Sequence, residues 1–192
     1  MRDEGSIKSL DDDITDYYPQ FSVINPFKED SQRSITFRQL MSHMSGLPRN
    51  SPCKGIFDTG CNISDDQILR NIAKMRLMYP PATQPAYSNF GFGLLGKVLA
   101  HVTKSSWDDL LSRMVTKPLK MENTGNSFEQ NKTAVDYYPD GRVADFIDIG
   151  WDASAGQSYS TTADLAKLMS LVFSDEKSSK EQVSVSVQSL LS

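Results

Sequence analysis

Capping signals in front of apolar stretches of helical period constrain this fold more than any other feature. Thr36 and Gln39 have the spacing of a capping box, and so do Ser64 and Gln67. After each box, apolar residues recur every three or four positions, as they do on the buried face of a helix. The pattern predicts a helix-rich chain, with helices over about 36–46, 65–77 and 90–101, a fourth after Ser106 and a fifth from Thr161.

Strand signals are few, and they lie in the second half of the chain. Asp140 and Gly141 form a turn signal between Tyr137-Tyr138 and the run over 142–147, which predicts a β-hairpin. We therefore expect one domain with four parts: a polar connector with one helical turn, a helical region, a hairpin with a helix, and a polar tail. These parts are residues 1–34, 35–125, 126–173 and 174–192.

Charge and hydropathy exclude several classes of partner. The net charge is −4, and acidic and basic residues are mixed along the chain, so no basic face is predicted for a nucleic acid. No apolar run approaches the roughly 18 residues of a membrane-spanning helix, and the first five residues are too polar for a signal peptide. The cysteines and histidines lack the spacing of a zinc site, so neither a metal nor a cofactor is predicted.

Cys53 and Cys61 lie in one loop that is rich in proline and glycine. Two interpretations are open: free thiols in a reducing compartment, or a disulfide that closes a small surface loop in an oxidising one. Sequons at Asn62 and Asn131 fit the second interpretation, because such acceptors are glycosylated in secreted proteins. These features lean towards a secreted or luminal protein, although the sequence does not assign a compartment.

Four segments carry recognisable motifs: DEGSIKSLDD at 3–12, SITFRQLMSHMSGLP at 34–48, a long segment at 81–125 that contains AYSNFGFGLLG, and SAGQSYSTTADLAK at 154–167. In this order they resemble segments of the serine β-lactamase-related family, which includes penicillin-binding-protein-like domains and class C β-lactamases. The family's patterns include EGK-x-x-LDD, ITLRQLLSHTSGLP, a Y-x-N motif within YSN-x-GY-x-LLG, and AGGLYSTA-x-DLA. Together the four segments span most of residues 3–173.

The resemblance implies an α+β fold of the β-lactamase/transpeptidase type, of which this chain holds mainly the helical part with few strands of the antiparallel sheet. It also implies acyl transfer on amide or ester substrates through a serine ester, with no cofactor. Tyr87-Ser88-Asn89 matches the Y-x-N motif. By resemblance, Tyr87 relays the proton of the nucleophilic serine, and Asn89 orients the amide of a small-molecule or peptide substrate. The competing interpretation is that Tyr87 is a packed loop aromatic and Asn89 a helix N-cap.

Two other motifs of the family have no convincing match. S-x-x-K must place serine and lysine on one helix face; the string at 51–54 contains Pro52, and the string at 174–177 lies in the polar tail. A K-T-G or H-x-G strand is also absent, because the string at 132–134 ends in alanine. We therefore expect a domain that is incomplete at both ends and is not acylated as this chain. A non-catalytic domain that binds or scaffolds is the alternative.

Two remaining features are interpreted as structural. The run over 91–97 matches G-x-G-x-x-G and most of a P-loop, but a proline-rich loop precedes it where a buried strand is required. Its glycines are expected to allow close helix packing, and His43 is expected to make a structural hydrogen bond. Because the family's strands come largely from both chain ends, we expect the isolated chain to expose apolar helix faces and to be marginally stable.

Overall fold

A computed structural model describes residues 1–2, 4–27, 34–53, 61, 63–127, 133–144, 146 and 148–173. The α-helices of this part of the chain are α1 (Phe37–Met41), α2 (Asp65–Ile72), α3 (Asn89–Thr103), α4 (Trp107–Leu111), α5 (Ala153–Gly156) and α6 (Thr162–Phe173). Short 3-10 turns lie at Ile14–Asp16 and Gly150–Asp152, and a π-helical turn follows α4 at Ser112–Thr116. Within the described ranges, extended backbone pairs only at isolated bridges, so the few strands that were expected are not found there.

The chain forms two compact units, and the first is discontinuous in sequence. Unit 1 consists of the described residues up to Lys104 together with 148–157, and unit 2 consists of those between Ser105 and Phe146 and those from Ser158 onwards. This division differs from the four parts expected from the sequence. The reason is that residues 148–157 pack against α3, far back along the chain.

The core of unit 1 is built around α3. Phe90, Leu94 and Val98 recur every four residues along it and are fully buried. Burying a side chain of this kind stabilises a fold by about 1.5–3 kcal/mol, so this face alone is a large part of the stability. The helix contacts α1, α5 and the Gly150–Asp152 turn. Other fully buried members of the same core are Ile14, Phe37, Leu40, Ile68 and Ile72.

The first residues of the chain belong to this core, which corrects the expectation of a polar connector over 1–34. Ile7, Ile14, Tyr18 and Phe21 are all buried. The single helical turn expected there is present at Ile14–Asp16. Their intervals of seven, four and three residues are those of a helical face, although the backbone in this segment is helical only at Ile14–Asp16.

Helix α1 begins as predicted but ends earlier. Thr36 and Gln39 form the reciprocal capping box, with backbone-to-side-chain distances of 3.3 and 3.2 Å. The helix ends at Met41 rather than near Gly46, because the next residues pair with a distant segment. The Gly46 carbonyl accepts a hydrogen bond from the Met78 N–H at 2.8 Å, and Gly46 itself has φ +73°.

Helix α2 shows the same behaviour at its end. Ser64 caps it by accepting the Gln67 N–H at 3.3 Å, as predicted, but the reciprocal half of the capping box is not formed, because the Gln67 side chain contacts Asn71 instead. The helix ends at Ile72 instead of 77, because the backbone at Met75 and Leu77 pairs with Ile24 on both sides, at 2.9 and 3.0 Å. Helix α3, in contrast, covers the whole predicted 90–101 segment.

Helix α6 of unit 2 begins where predicted, but its expected apolar face is only partly buried: Leu168 packs against the small core of this unit. Thr161 accepts the Asp164 N–H, whereas Leu165 and Met169 of the expected apolar face are about half exposed, at 47% and 50%. The inward face also carries Asp164 and Leu171. Leu171 joins a small core with Leu119 and Met121.

Among its described residues, the predicted hairpin of unit 2 is present only as a turn with one isolated antiparallel bridge, between Tyr137 and Val143, and not as a pair of strands. The Tyr138 N–H donates to the Arg142 carbonyl and the Ala144 N–H to the Asp136 carbonyl, both at 2.8 Å. Gly141 has φ +83°, which is the left-handed conformation that a tight turn demands and that glycine adopts at little cost. The final residues of the expected second strand include positions 145 and 147, which lie outside the described residues.

Asp164 makes unit 2 sensitive to acid. Its carboxylate is 1% exposed and accepts hydrogen bonds from Lys167 Nζ, the Asn123 N–H and Thr124 Oγ1 at 2.7, 2.7 and 3.0 Å. These contacts, the Lys167 hydrogen bond first, hold the pKa of Asp164 below its ordinary value. A group whose pKa is lower in the folded state contributes stability above its unfolded pKa, and that contribution is lost as the pH falls through the folded pKa.

We therefore expect Asp164→Asn to lower the stability of unit 2 at pH 6 and to have a much smaller effect at acid pH. Asp164 of the wild type takes up a proton at a lower pH than an ordinary aspartate does, and its contribution disappears as the pH falls through that point. Urea denaturation of both proteins, followed by circular dichroism between pH 6 and pH 2, measures the gap. A gap that stays constant across this range would contradict the assignment.

Candidate functional site

The Tyr87-Ser88-Asn89 segment lies in unit 1 at the beginning of α3. Ser88 is the N-cap, because its Oγ accepts the Gly91 N–H at 2.8 Å and donates to the Pro48 carbonyl at 2.7 Å. Asn89 is therefore the first helical residue, and its interpretation as the cap is wrong. The capping role of the middle residue leaves the flanking side chains, Tyr87 and Asn89, available for other contacts.

Tyr87 lies in the loop before α3, and its ring packs on one side although much of the side chain is exposed, so the packed loop aromatic stays the alternative interpretation. It is 54% exposed. Its ring lies 4.7 Å from the His43 ring, centroid to centroid, and the Arg49 guanidinium carbon lies 5.2 Å from its centroid. The rings and the cation fix the direction of the side chain, while no described residue hydrogen-bonds its hydroxyl. The phenol ring is thus held on one side, while its hydroxyl has no described hydrogen-bond partner.

His43 has the structural role that was expected of it. Its Nδ1 accepts the Ser88 N–H at 3.2 Å, and its carbonyl accepts the Ala86 N–H at 2.8 Å. The residue has φ +58°, and its ring also packs 5.0 Å from the Phe92 ring. A nitrogen that already accepts a backbone hydrogen bond is poorly placed to act as a general base. His43 therefore positions the segment that carries Tyr87.

Asn89 is held by the loop over 49–51. Its N–H donates to the Arg49 carbonyl at 2.8 Å, and its Nδ2 donates to Asn50 Oδ1 at 3.0 Å. With one amide hydrogen engaged in this way, the Asn89 carbonyl oxygen and its second hydrogen can meet an amide of a ligand. Sequence reasoning missed Asn50, because no local motif marks it and only the fold brings it beside Asn89.

A buried carboxyl group was missed as well. Asp152 is 1% exposed, and its Oδ2 accepts a hydrogen bond from the hydroxyl of Ser51, which is itself buried. Its other oxygen, Oδ1, has no hydrogen-bond partner among the described residues. Burial raises the pKa of Asp152, while the Ser51 hydrogen bond and the charge of Lys97 act to lower it. The W-D pair in the sequence gave no sign of this arrangement.

Gly93 of α3 packs closely, as expected of this run, whereas a Cβ on Gly91 would meet only ordinary contacts, the nearest at 3.4 Å from Ser88 Oγ. A Cβ on Gly93 would lie 2.3 Å from Asp152 Oδ1 and 3.1 Å from the Trp151 ring. Since real Cβ atoms do not approach other atoms so closely, only glycine fits where α3 passes Asp152.

His101 also has a neighbour that the sequence did not indicate, because its ring lies 5.1 Å from the Tyr18 ring at 74°.

Cys53 and Cys61 form a disulfide in the structure, with their Cα atoms 5.4 Å apart. The bridge begins two residues after Ser51. Its other end, Cys61, lies against Gly150, where a Cβ would stand 2.9 Å from the Cys61 carbonyl oxygen. The disulfide therefore lies next to both chain segments that the Ser51–Asp152 hydrogen bond joins. The sequons at Asn62 and Asn131 lie outside the described residues.

We expect both cysteines to resist iodoacetamide in unreduced protein and both to react after treatment with a reductant. A disulfide has no thiolate to alkylate, whereas the reduced loop exposes two. Intact-mass measurement before and after reduction counts the labels. Two labels on unreduced protein would show free thiols and remove the argument for an oxidising compartment.

The described part of the chain contains neither a metal-binding cluster nor a helix that could cross a membrane. In the described ranges, no group of three or more His, Cys, Asp or Glu side chains has an arrangement that holds a metal ion. Among the described helices, each falls short of the length and apolar character needed to cross a membrane.

Comparison with known proteins adds a family to this geometry. The sequence model described as Beta-lactamase matches residues 2–190. Beta-lactamase-like protein 4 of Dictyostelium discoideum is 36% identical over 182 residues, covering 88% of this chain and 32% of the relative. Putative beta-lactamase-like 1 of Homo sapiens is 35% identical over 172 residues, covering 86% and 34%. The chain thus spans about a third of the length of these relatives.

Solved structures extend the similarity to the fold. A beta-lactamase/D-alanine carboxypeptidase from Yersinia pestis, complexed with citrate, superposes with a TM-score of 0.71. The two chains share 24% sequence identity, and the match covers 94% of this chain and 52% of the other. A class C beta lactamase from Rhodobacter sphaeroides gives a TM-score of 0.69 at 21% identity, covering 89% and 46%. The helix-rich units therefore form part of a β-lactamase/transpeptidase-like fold.

Proposed function

Because this chain belongs to the beta-lactamase family, we propose that Tyr87 and Asn89 form one wall of an acyl-transfer site. The substrates are amides or esters, with D-alanyl peptides and β-lactams as the first class to test. That choice comes from the names of the structural relatives, which include β-lactamase/D-alanine carboxypeptidases. Neither a metal nor a cofactor is required by this chemistry.

The single observation that carries the proposal is the pairing of an open phenol with a fixed carboxamide at one helix start. Tyr87 is exposed, and its ring is held by His43 and Arg49. The carboxamide of Asn89 is oriented by Asn50. In an acyl-transfer site, this wall must supply a proton carrier and an amide-binding group. Both groups must be in position before the substrate binds.

The reaction would proceed through an ester. A serine oxygen attacks the carbonyl carbon of the substrate, and Tyr87 relays the proton: its oxygen takes up the serine proton as its own phenol proton passes to the leaving group. The bond from the carbonyl carbon to the leaving nitrogen or oxygen then breaks, and water later hydrolyses the ester. During these steps the Asn89 carboxamide holds the amide of the substrate in place.

Ser51 is a poor candidate for that nucleophile, although it begins one of the S-x-x-K strings. It is 7% exposed, its hydroxyl donates a hydrogen bond to Asp152, and Pro52 follows it. The second string, at 174–177, lies outside the described residues. We therefore propose that the chain as given binds ligands at this wall without being acylated.

Nuclear magnetic resonance tests the binding. Titration of the ¹⁵N-labelled chain with benzylpenicillin or N-acetyl-D-alanyl-D-alanine should shift the Tyr87 and Asn89 amide signals in a saturable way, with a Kd of about 1 mM. Asn89→Ala and Tyr87→Phe should weaken binding. Tyr138→Phe is the matched control, because Arg142 covers Tyr138 at 5.1 Å as Arg49 covers Tyr87 at 5.2 Å. Shifts that are equal in all variants would overturn the proposal.

A covalent probe separates catalysis from binding. We expect intact mass spectrometry to show no adduct after incubation of the chain with a fluorescent penicillin or a fluorophosphonate. Labelling at a unique serine would overturn the assignment of a non-acylated chain. Binding without an adduct is also the behaviour of the alternative, a non-catalytic domain, and the same probes applied to the longer curated relatives would distinguish the two.

A further inference from the structure

The loop over 49–51 holds Asn89 but has little burial of its own. Arg49 and Asn50 are both exposed, and yet the Arg49 carbonyl and the Asn50 side chain are the contacts that orient Asn89. An exposed loop keeps a fixed geometry only where something anchors it. Before the loop, the Pro48 carbonyl accepts a hydrogen bond from Ser88 Oγ; within the loop, Ser51 is the buried residue and provides a second anchor.

Ser51 is anchored by Asp152. The hydroxyl donates to Oδ2 of a carboxyl group that is almost wholly buried, and hydrogen bonds to such charged acceptors are short and strong. The other oxygen, Oδ1, faces Gly93, where a Cβ would lie only 2.3 Å away. Gly93 lies one helical turn after Asn89. One carboxyl group therefore contacts both the loop and the helix that together present Asn89.

Placing this carboxyl group in the core costs free energy. A buried carboxylate loses its hydration, and here a single described hydrogen bond compensates for that loss while Oδ1 has no described partner. An apolar side chain of the same size would serve packing alone at least as well. The carboxyl group offers what an apolar residue lacks, which is a directional acceptor for the Ser51 hydroxyl.

We propose that Asp152 is a positioning residue that acts on Asn89 through the 49–51 loop. It touches no substrate in this arrangement; instead, it fixes the register of the loop against the start of α3. The inference rests on the proposed function only for the role of Asn89. The contacts that carry it belong to the ligand-free protein.

The test compares variants of Asp152 and Ser51 in the full chain. Asp152→Ala and Ser51→Ala both delete the anchor, whereas Asp152→Asn retains an oxygen that accepts from Ser51. We expect the first two to move the side-chain NH2 signals of Asn89 and to weaken binding of benzylpenicillin about tenfold. Asp152→Asn should restore the Asn89 signals and bring the Kd back to within about twofold of the wild type.

A matched control separates positioning from general loss of stability. Val98 is fully buried on α3, away from the loop, so Val98→Ala should lower the melting temperature and leave the Asn89 side-chain signals in place. If Asp152→Ala does not fold, Ser51→Ala and the hydrogen exchange of the Asn89 amide still report on the anchor. Asn89 signals that are unchanged in Ser51→Ala, or that move equally in Val98→Ala, would overturn the inference.

The two proposals fail in different ways. If wild-type protein shows no saturable shift with either ligand, the proposed function fails, while the Asn89 signals of the ligand-free variants still test the role of Asp152. If ligands bind and Asn89→Ala abolishes binding, but the anchor variants bind like wild type, the function stands and the positioning role is lost.

Discussion

Phe90→Ala should lower the free energy of unfolding by about 3–5 kcal/mol, which is the usual cost of emptying a buried aromatic site. Phe90 is fully buried on α3, and its ring centroid lies 5.8 Å from that of Trp151. Neighbouring side chains of a close-packed core relax only partly, so a cavity would remain. Urea denaturation followed by Trp151 fluorescence, in a Trp107→Phe background, measures the loss within unit 1.

Phe173 provides the matched control for this change. It carries the same side chain and also lies on a helix, but it is 78% exposed. Its replacement by alanine removes few contacts, so we expect a change within about 0.5 kcal/mol. Equal losses for the two variants would mean that the α3 face is not the core of unit 1.

Gly46→Ala should lower the free energy of unfolding by about 3 kcal/mol or more, because two costs add. Gly46 has φ +73°, a conformation that costs an L-residue about 1–2 kcal/mol. The new Cβ would also lie 2.0 Å from the Tyr79 carbonyl oxygen, a backbone atom that cannot rotate away. Relief of the overlap requires the loop after α1 to move away from residues 78–79, which breaks the hydrogen bond between Met78 and Gly46.

Gly5 separates these two costs. It has nearly the same φ, +74°, but a Cβ there would meet nothing within 4 Å. Gly5→Ala should therefore cost only the conformational part, about 1–2 kcal/mol. The same denaturation measurement applies to both variants. A loss at Gly46 no larger than that at Gly5 would show that the contact with Tyr79 is not as close as described.

Local signals predicted the beginnings of elements well and their ends poorly. The caps at Thr36 and Ser64 depend on residues three positions away, so the sequence contains all the information needed. The ends of α1 and α2 depend on backbone partners in distant segments, at Met78 and Ile24. A periodic pattern continues through these positions, and only the competing long-range hydrogen bonds stop the helix.

The residues of the candidate site also divide into those that the sequence predicts and those that only the fold reveals. Tyr87 and Asn89 could be named from the sequence, because the family motif that contains them is contiguous and lies within a longer resembling segment. Asn50 and Asp152 could not. The Ser51–Asp152 hydrogen bond joins residues 101 positions apart, and no spacing rule relates them. Their assigned roles are proposals that follow from the contacts of the folded chain.

The discontinuity of unit 1 has a consequence for how the protein is made. Its core remains open until Trp151 has left the ribosome, although the helix that packs against it, α3, is synthesised much earlier. During that interval a nascent chain would expose the apolar face of α3. A chaperone could bind this face then, or the face could form non-native contacts. After completion the intervening segment acts as an insertion. Because closing a loop costs only about 0.6 kcal/mol more per doubling of its length, this insertion costs unit 1 little, although Leu119 and Met121 within it belong to the small core of unit 2.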